Sequence, residues 1–358
     1  MRVLTVNTGS SSVKLRLLGA DDDVLGEDEA EAAGTGVDAA ALSRAARALG
    51  DADAVAHRFV HGGDRTEAAV LDDGVRGELE ALAPLAPLHQ PKALAAADAV
   101  ARVAPELPAV ACFDTAFHAQ LPPEAATYAL PAAWRERFGL RRYGFHGLSH
   151  AYAAGRAREL LSLGAGARVV TCHLGAGASL AAVRDGRSLD TTMGFTPLEG
   201  IVMATRSGTV DPGLVLWLID QGLTPGEVRD GLEQHAGLLG LAGTADMREV
   251  LARGDADARL ALDVYLHRLA AGVGAMAAAL GGLDALVFTG GVGERSPAVR
   301  AGAAARLGFL GVAVDPDHNE RADRDADISA GAASVRCAVI AAREDLEMAR
   351  QARAALAA

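Results

Sequence analysis

Aromatic residues are sparse in this chain, 4% of 358 positions, and there are only three cysteines. Cys112, Cys172 and Cys337 lie far apart, each inside an apolar run. That spacing argues against a disulfide framework and against structural zinc, and it suits buried free thiols in a reducing compartment. Long hydrophobic runs without charge or glycine are missing, so no segment reads as a membrane span. No apolar stretch follows a basic start at the N-terminus, so no signal peptide is expected and the expected location is cytoplasmic. Basic charge is short as well: 34 Lys and Arg stand against 46 Asp and Glu, a formal net charge of -12. With no basic stripe, a nucleic-acid partner is not expected, and the acidic balance favours solubility.

What remains is a globular composition. Half of the residues are hydrophobic and 22% are charged, and the length allows two domains with full cores. The first fourteen residues hold the strongest pattern. An apolar run (Val3, Leu4, Val6) meets a Gly/Ser turn (Thr8, Gly9, Ser10, Ser11, Ser12), then an alternating run (Val13, Lys14, Leu15, Arg16, Leu17). This predicts strand, tight turn, strand. The same grammar returns at 168–183, where His173, Gly175 and Gly177 occupy the turn. Two such hairpins, about one domain length apart, predict a duplicated fold whose glycine-rich turns face one cleft. Backbone N–H groups in turns of this kind suit an anion, with polyphosphate the natural guest.

Strand patterns at 54–60, 108–113, 283–289 and 335–341 alternate with helical patterns at 91–103, 149–163, 212–221, 225–235, 257–280 and 343–357. Alternation of this sort predicts an α/β class. The acidic, glycine-punctuated stretch 21–36 reads as a surface loop, and Gly290 to Gly293 read as a break after a strand. A domain boundary is expected near residue 147.

Several polar residues carry two readings each. Lys14 is a cation near phosphates or the solvated face of a strand. Arg58 ends a strand before His61, Gly62 and Gly63, as an anion ligand or a surface charge. Asp114, at another strand end, is functional or a helix N-cap. His146 and His150 are four apart without the glutamate of the helical zinc motif, so a hydrogen-bond donor in a cleft fits His146 better, with a structural histidine as the alternative. Arg206 lies in a Thr/Ser/Gly loop that leads to Asp211 and Pro212, a helix start. Gly291 and Gly293 resemble part of a dinucleotide fingerprint without its third glycine. Glu344, opening the last helix, is a dipole complement or a metal ligand.

Taken in order, these segments resemble the acetokinase family, the acetate kinases of the sugar kinase/Hsp70/actin superfamily. The matching stretches are Asn7-Thr-Gly-Ser-Ser-Ser-Val-Lys14, His57-Arg-Phe-Val-His-Gly-Gly63, Ala86-Pro-Leu-His89, Phe113-Asp-Thr-Ala-Phe-His118, Arg142-Tyr-Gly-Phe-His-Gly147, His173-Leu-Gly175, Thr205-Arg-Ser-Gly208 with Asp211-Pro212, and Phe288-Thr-Gly-Gly-Val-Gly-Glu294. The resemblance implies a duplicated ribonuclease H-like fold, with 1–147 plus 345–358 as the acyl-side domain and 148–344 as the nucleotide domain. It implies phosphoryl transfer from ATP to acetate, giving acetyl phosphate and ADP, with Mg2+ or Mn2+, in a homodimer.

The resemblance also carries residue roles. Arg58, Asp114, His146 and Arg206 would be catalytic, and Asn7 and Glu344 would serve the metal. Val60, Leu88, Phe145 and Pro197 would line the methyl pocket. Ser10, Ser12, Lys14, His173, Gly175 and Gly177 would hold phosphates. Asp246, Met247, Arg248, Gly291, Gly293 and Arg295 would hold the nucleoside. The sequence departs from the family at Ala176 and Arg295, where Asn is usual, at Gln90 after His89, at Thr209, and at 342–345. The segment before Arg58 is also short.

Three alternatives remain open at this point. A propionate or butyrate kinase differs by pocket volume, and one methylene is worth only about 1–3 kcal/mol. An actin- or Hsp70-like ATP-dependent scaffold would share the duplicated hairpins. A dehydrogenase using Gly291 to Ser296 would want a ribose-binding acid, for which Asp315 and Asp317 are near.

Overall fold

The structure, a computed structural model, describes residues 1–9, 12–33, 36–87 and 89–357. Ser10 and Leu88, both candidate site residues, lie outside them. The chain forms two compact units: Met1–Gln120 with Phe145–Tyr152 and Arg343–Ala358, and Leu121–Gly144 with Ala153–Ala342.

Among the described residues, the first unit builds one sheet of seven strands: β1 (Val3–Thr8), β2 (Ser12–Leu18), β3 (Val24–Ala33), β4 (Gly36–Val37), β5 (Ala54–Phe59), β6 (Ala69–Val70) and β7 (Ala109–Phe113). Their order is β4-β3-β2-β1-β5-β7-β6. β1 pairs antiparallel with β2, and parallel with β5, which pairs parallel with β7. The central strands are buried on both faces, which explains their near-continuous apolar runs.

The second unit repeats the plan. Its strands are β8 (Arg168–Leu174), β9 (Ala178–Arg184), β10 (Arg187–Thr191), β11 (Ala285–Thr289), β12 (Ala326–Asp327) and β13 (Arg336–Val339), in the order β10-β9-β8-β11-β13-β12. Three antiparallel strands lead to two parallel ones on the far side of the first, as in β3-β2-β1-β5-β7. The duplicated α/β core expected from the two hairpins is therefore present in the strand order itself.

Helices cover the sheets, and their starts follow the sequence. Asp211 caps Pro212–Asp220 through the Gly213 amide, and Thr224 with Glu227 forms a capping box on Pro225–Gln234. The long helix Ala256–Leu280 packs over β9, where Gly272 leaves room for the Leu180 side chain. The closing helix Glu344–Ala357 buries Met348, Ala349 and Ala352 against Val3, Leu18, Ala56, Val110 and Cys112 of the first unit. The three cysteines are buried and free. Among the described residues, no helix is long and apolar enough to cross a membrane.

One expectation is corrected. The stretch 21–36 is mostly strand β3, not loop. Pairing with β2 overrides its poor strand composition, with Glu29 set opposite Lys14 and Glu27 opposite Arg16. The strand ends at Thr289, as expected, and Gly290 to Gly293 open a short helix, Gly290–Arg295, with Gly290 at φ +78°. A side chain at Gly290 would collide with the Leu174 backbone, so glycine is required there.

Candidate active site

Four of the sequence-selected residues converge in the first unit. Asn7 sits near the end of β1, Arg58 near the end of β5, and Asp114 directly after β7. Neighbouring parallel strands put their C-terminal ends side by side, so the topology collects these three side chains. Glu344 joins them from the first turn of the closing helix. The start of that helix is pinned because the buried Asp345 carboxylate takes Arg343 at 2.9 Å and Arg16 at 3.2 Å.

Arg58 is the hub. Its Nε and Nη2 donate to the Asp114 carboxylate, with Nη2 to Oδ2 at 2.7 Å. Its Nη1 donates to Asn7 Oδ1 at 3.0 Å and lies 3.5 Å from Glu344 Oε2. Asn7 Nδ2 donates to Glu344 Oε2 at 2.7 Å. Burial works against the Arg58 charge, but Asp114 and Glu344 outweigh it and raise its pKa. Burial pushes Asp114 upward, with Arg58 and the His146 backbone pulling it back. The N-cap reading of Asp114 is set aside, because Thr115 occupies the cap of the short 3-10 turn that follows and makes no side-chain cap bond.

His146 and Phe145 approach the same cluster. The Gly147 amide donates to the Asp114 carbonyl at 2.9 Å, and a side chain on Gly147 would clash with that carbonyl. His146 itself is left-handed, φ +56°, an uncommon conformation for a residue other than glycine. Phe145 is fully buried, edge-on to His61 at 5.8 Å, and its carbonyl bonds His118 Nε2 at 3.1 Å. Val60, which precedes His61 in sequence, is buried. Gln90 and the His61 backbone exchange hydrogen bonds, which holds the turn after Arg58. Lys14 is exposed on β2, opposite Asn7 in the ladder, and Ser12 starts that strand.

The second unit holds the remainder. His173 ends near the tip of β8, and Gly175 and Gly177 form the turn to β9 through a Gly175 amide to Gly177 carbonyl bond of 3.0 Å. The Ala176 carbonyl takes the Ala204 amide at 3.1 Å, which ties this turn to the loop carrying Arg206. That loop is fastened further by Leu238 to Met203, Ala236 to Thr205 and Ser207 to Leu232 backbone bonds, each 3.0 Å. Arg206 Nη1 donates to the Pro197 carbonyl at 3.2 Å and touches Met203 Sδ at 3.8 Å. Among the described residues, no carboxylate comes within ion-pair distance of it. Burial accordingly lowers its pKa, with Glu233 a weaker opposing influence. Burying a guanidinium without a carboxylate partner is unfavourable.

Gly291, Gly293 and Arg295 share the short helix after β11, with Arg295 exposed. Asp246 caps the helix Met247–Ala252, accepting from the Arg248 amide at 2.8 Å, and pairs with the exposed Arg248 side chain. The sequence reading missed Tyr128 and Glu199 and noted Arg142 only within a motif. Tyr128 donates to Glu199 at 2.6 Å, and Arg142 donates to the other oxygen of that carboxylate at 2.8 Å. No local signal joins positions 128 and 199.

The duplicated α/β core carries an Arg–Asp–Asn–Glu cluster in one unit and, in the other, an arginine with no ion-pair partner among the described residues; the comparisons give the class, a phosphotransferase. The chain belongs to the acetokinase family, whose model matches residues 26–350. It is 50% identical to an acetate kinase of Gloeobacter violaceus over 83% of this chain and 75% of that one. It is 45% identical to an acetate kinase of Deinococcus deserti, covering 100% of this chain and 98% of that one. Among solved structures, an acetate kinase of Porphyromonas gingivalis superposes with a TM-score of 0.89 at 35% identity, over 99% of both chains. A propionate kinase of Francisella tularensis superposes with a TM-score of 0.90 at 34% identity, over 98% of both.

Proposed function

We propose that this protein is an acetate kinase, transferring the γ-phosphoryl group of ATP to acetate to give acetyl phosphate and ADP, reversibly and by direct in-line transfer. The observation that carries the reading is Arg206, a half-buried guanidinium with no carboxylate at ion-pair distance among the described residues. The family supplies the reaction class.

The chemistry asks little of a base. A short-chain carboxylate is already ionised at neutral pH, with a pKa of roughly 4. The barrier is the approach of two anions in line, so catalysis rests on positioning and positive charge. Arg58, held by Asp114 and Asn7, and Arg206 grip the carboxylate and the transferring phosphoryl group. His146 donates to the phosphoryl oxygens, and Val60, Leu88, Phe145 and Pro197 enclose the methyl group. Ser10, Ser12, Lys14, His173, Gly175 and Gly177 serve the phosphates. Asp246, Met247, Arg248, Gly291, Gly293 and Arg295 serve the nucleoside.

Mg2+ fits the donor set of the first unit. Glu344 and Asn7 offer hard oxygens, and two carboxylates, Asp114 and Glu344, surround the single Arg58. Among the described residues there is no closed cluster of three or more His, Cys, Asp or Glu ligands. Mg2+ in phosphoryl-transfer sites takes one or two carboxylates and completes its shell with phosphates and water. When bound, it neutralises charge on the phosphates. The same reading places the protein in the cytoplasm as a homodimer, supported by the buried free thiols and by the exposed apolar helix Pro212–Asp220.

Propionate is the second reading, since the propionate kinase matches the fold as well as the acetate kinase does. The 45–50% identical relatives favour acetate. A hydroxamate assay with Mg·ATP and acetate, propionate or butyrate tests both. Acetyl phosphate formed by wild type and lost in Arg206→Ala is expected. No acyl phosphate from any of the three acids would refute the proposal.

A further inference from the structure

The turn 191–199 carries Pro197, and it is clamped by side chains that the sequence reading did not assign. Arg142 Nη1 donates to three successive carbonyls, those of Thr191 at 3.2 Å, Thr192 at 3.2 Å and Met193 at 3.0 Å. Its Nη2 donates to Glu199 Oε1 at 2.8 Å. The Tyr128 phenol donates to Glu199 Oε2 at 2.6 Å and accepts the Phe195 amide at 2.8 Å. The Tyr143 and Gly144 amides both donate to the Gly194 carbonyl, at 3.1 and 3.2 Å. Any side chain on Gly194 would collide with Glu199 and Tyr128.

This is a closed polar network around one turn. Three carbonyl dipoles converge on one point, which is unfavourable unless a cation sits there. A guanidinium serves three acceptors and a carboxylate together, and an ammonium cannot reproduce that fork. Burial pushes the Tyr128 phenol up, with Glu199 adding to the rise, so it stays a donor. Glu199 and Tyr128 sustain the Arg142 charge against burial. At the far side of the clamp, the Pro197 carbonyl accepts from Arg206. That contact is the only hydrogen bond to a carbonyl that orients the Arg206 guanidinium among the described residues.

Resting on the acyl-kinase reading, we propose that Tyr128, Glu199 and Arg142 are positioning residues for Arg206: they fix the 191–199 turn so that the Pro197 carbonyl aims the guanidinium and the Pro197 ring keeps its place. They touch no reacting group themselves. Their effect falls on the acid substrate and spares ATP binding.

The test compares wild type with Tyr128→Phe and the milder Glu199→Gln in two measurements. Hydrogen–deuterium exchange should rise in 191–208 and stay unchanged elsewhere. The KM for acetate should rise roughly tenfold, the scale of a lost charge-assisted hydrogen bond, with KM for ATP unchanged. The ratio of propionate to acetate kcat/KM should also move, since Pro197 shifts. A merely structural role would lower thermal stability and raise both KM values together. Wild-type exchange in 191–208 for both variants would overturn the proposal, as would loosened exchange with an unchanged acetate KM. If wild type formed no acyl phosphate at all, the kinase reading would fall, and exchange at 203–208, around Arg206, would decide the positioning role alone.

Discussion

Arg58 is set by its neighbours more than by its own side chain. It spends four N–H contacts on Asp114 and Asn7, and the Asp114 carboxylate is itself 1% exposed. A lysine in its place keeps the charge but cannot hold Asp114 bidentately while reaching Asn7. Arg58→Lys should therefore lose acyl phosphate formation on the order of 10³-fold, in the range of a lost transition-state arginine. Steady-state rates with saturating ATP and acetate check this, and activity within tenfold of wild type would remove Arg58 from the chemistry. At this scale the sequence singled out candidate residues but not how they pair. Asp114 and Glu344 each had a bland alternative that spacing alone could not dismiss. The Arg58 network dismisses it for Asp114, because the fork geometry is visible only once β5 and β7 lie side by side. Tyr128, Glu199 and Arg142 were illegible for the same reason: their contacts span 57 and 71 positions of sequence.

Elements were read well where periodicity and caps agreed. Asp211 with Pro212 announced Pro212–Asp220, and the observed helix starts there. Charged strand β3 was misread as loop because composition outweighed pairing, which sequence does not display. The helix Pro212–Asp220 has its own message. None of its residues is buried, and Leu216 and Trp217 are 65% and 56% exposed. Exposed apolar patches mark association surfaces in proteins generally. With the homodimer proposed above, the expected occupant is a second copy. Trp217→Glu should then convert a dimer to a monomer in sedimentation velocity while the circular dichroism of the fold is kept. A wild-type chain that sediments as a monomer at micromolar concentration would sink this.

At the scale of the whole molecule, duplication was legible from two hairpins, and the strand order of each unit repeats it. Global stability, by contrast, depends on burial that no motif announces. His57 and His118 are essentially unexposed, and burial lowers each from 6.5 to about 4, against a weak opposing pull from the Phe145 carbonyl on His118. Between pH 6.5 and about 4, the unfolded chain binds protons at these positions that the folded chain refuses. Stability is therefore unaffected by these groups above pH 6.5 and falls as pH drops through that window. Each histidine contributes about 3 kcal/mol to the loss by the lower end, a large share of a typical total of roughly 5–15 kcal/mol. His57 isolates the effect, because its Nδ1 has no hydrogen-bond partner among the described residues and Val55 lies two residues before it in the same strand, so an apolar side chain is compatible with the site. His57→Leu should reduce the slope of unfolding free energy against pH by about 1 kcal/mol per pH unit between pH 6 and 5. Urea unfolding at pH 7.5, 6.0 and 5.0 measures that slope for both proteins. Parallel slopes would mean that His57 titrates alike in the folded and unfolded chains, and that acid sensitivity arises elsewhere.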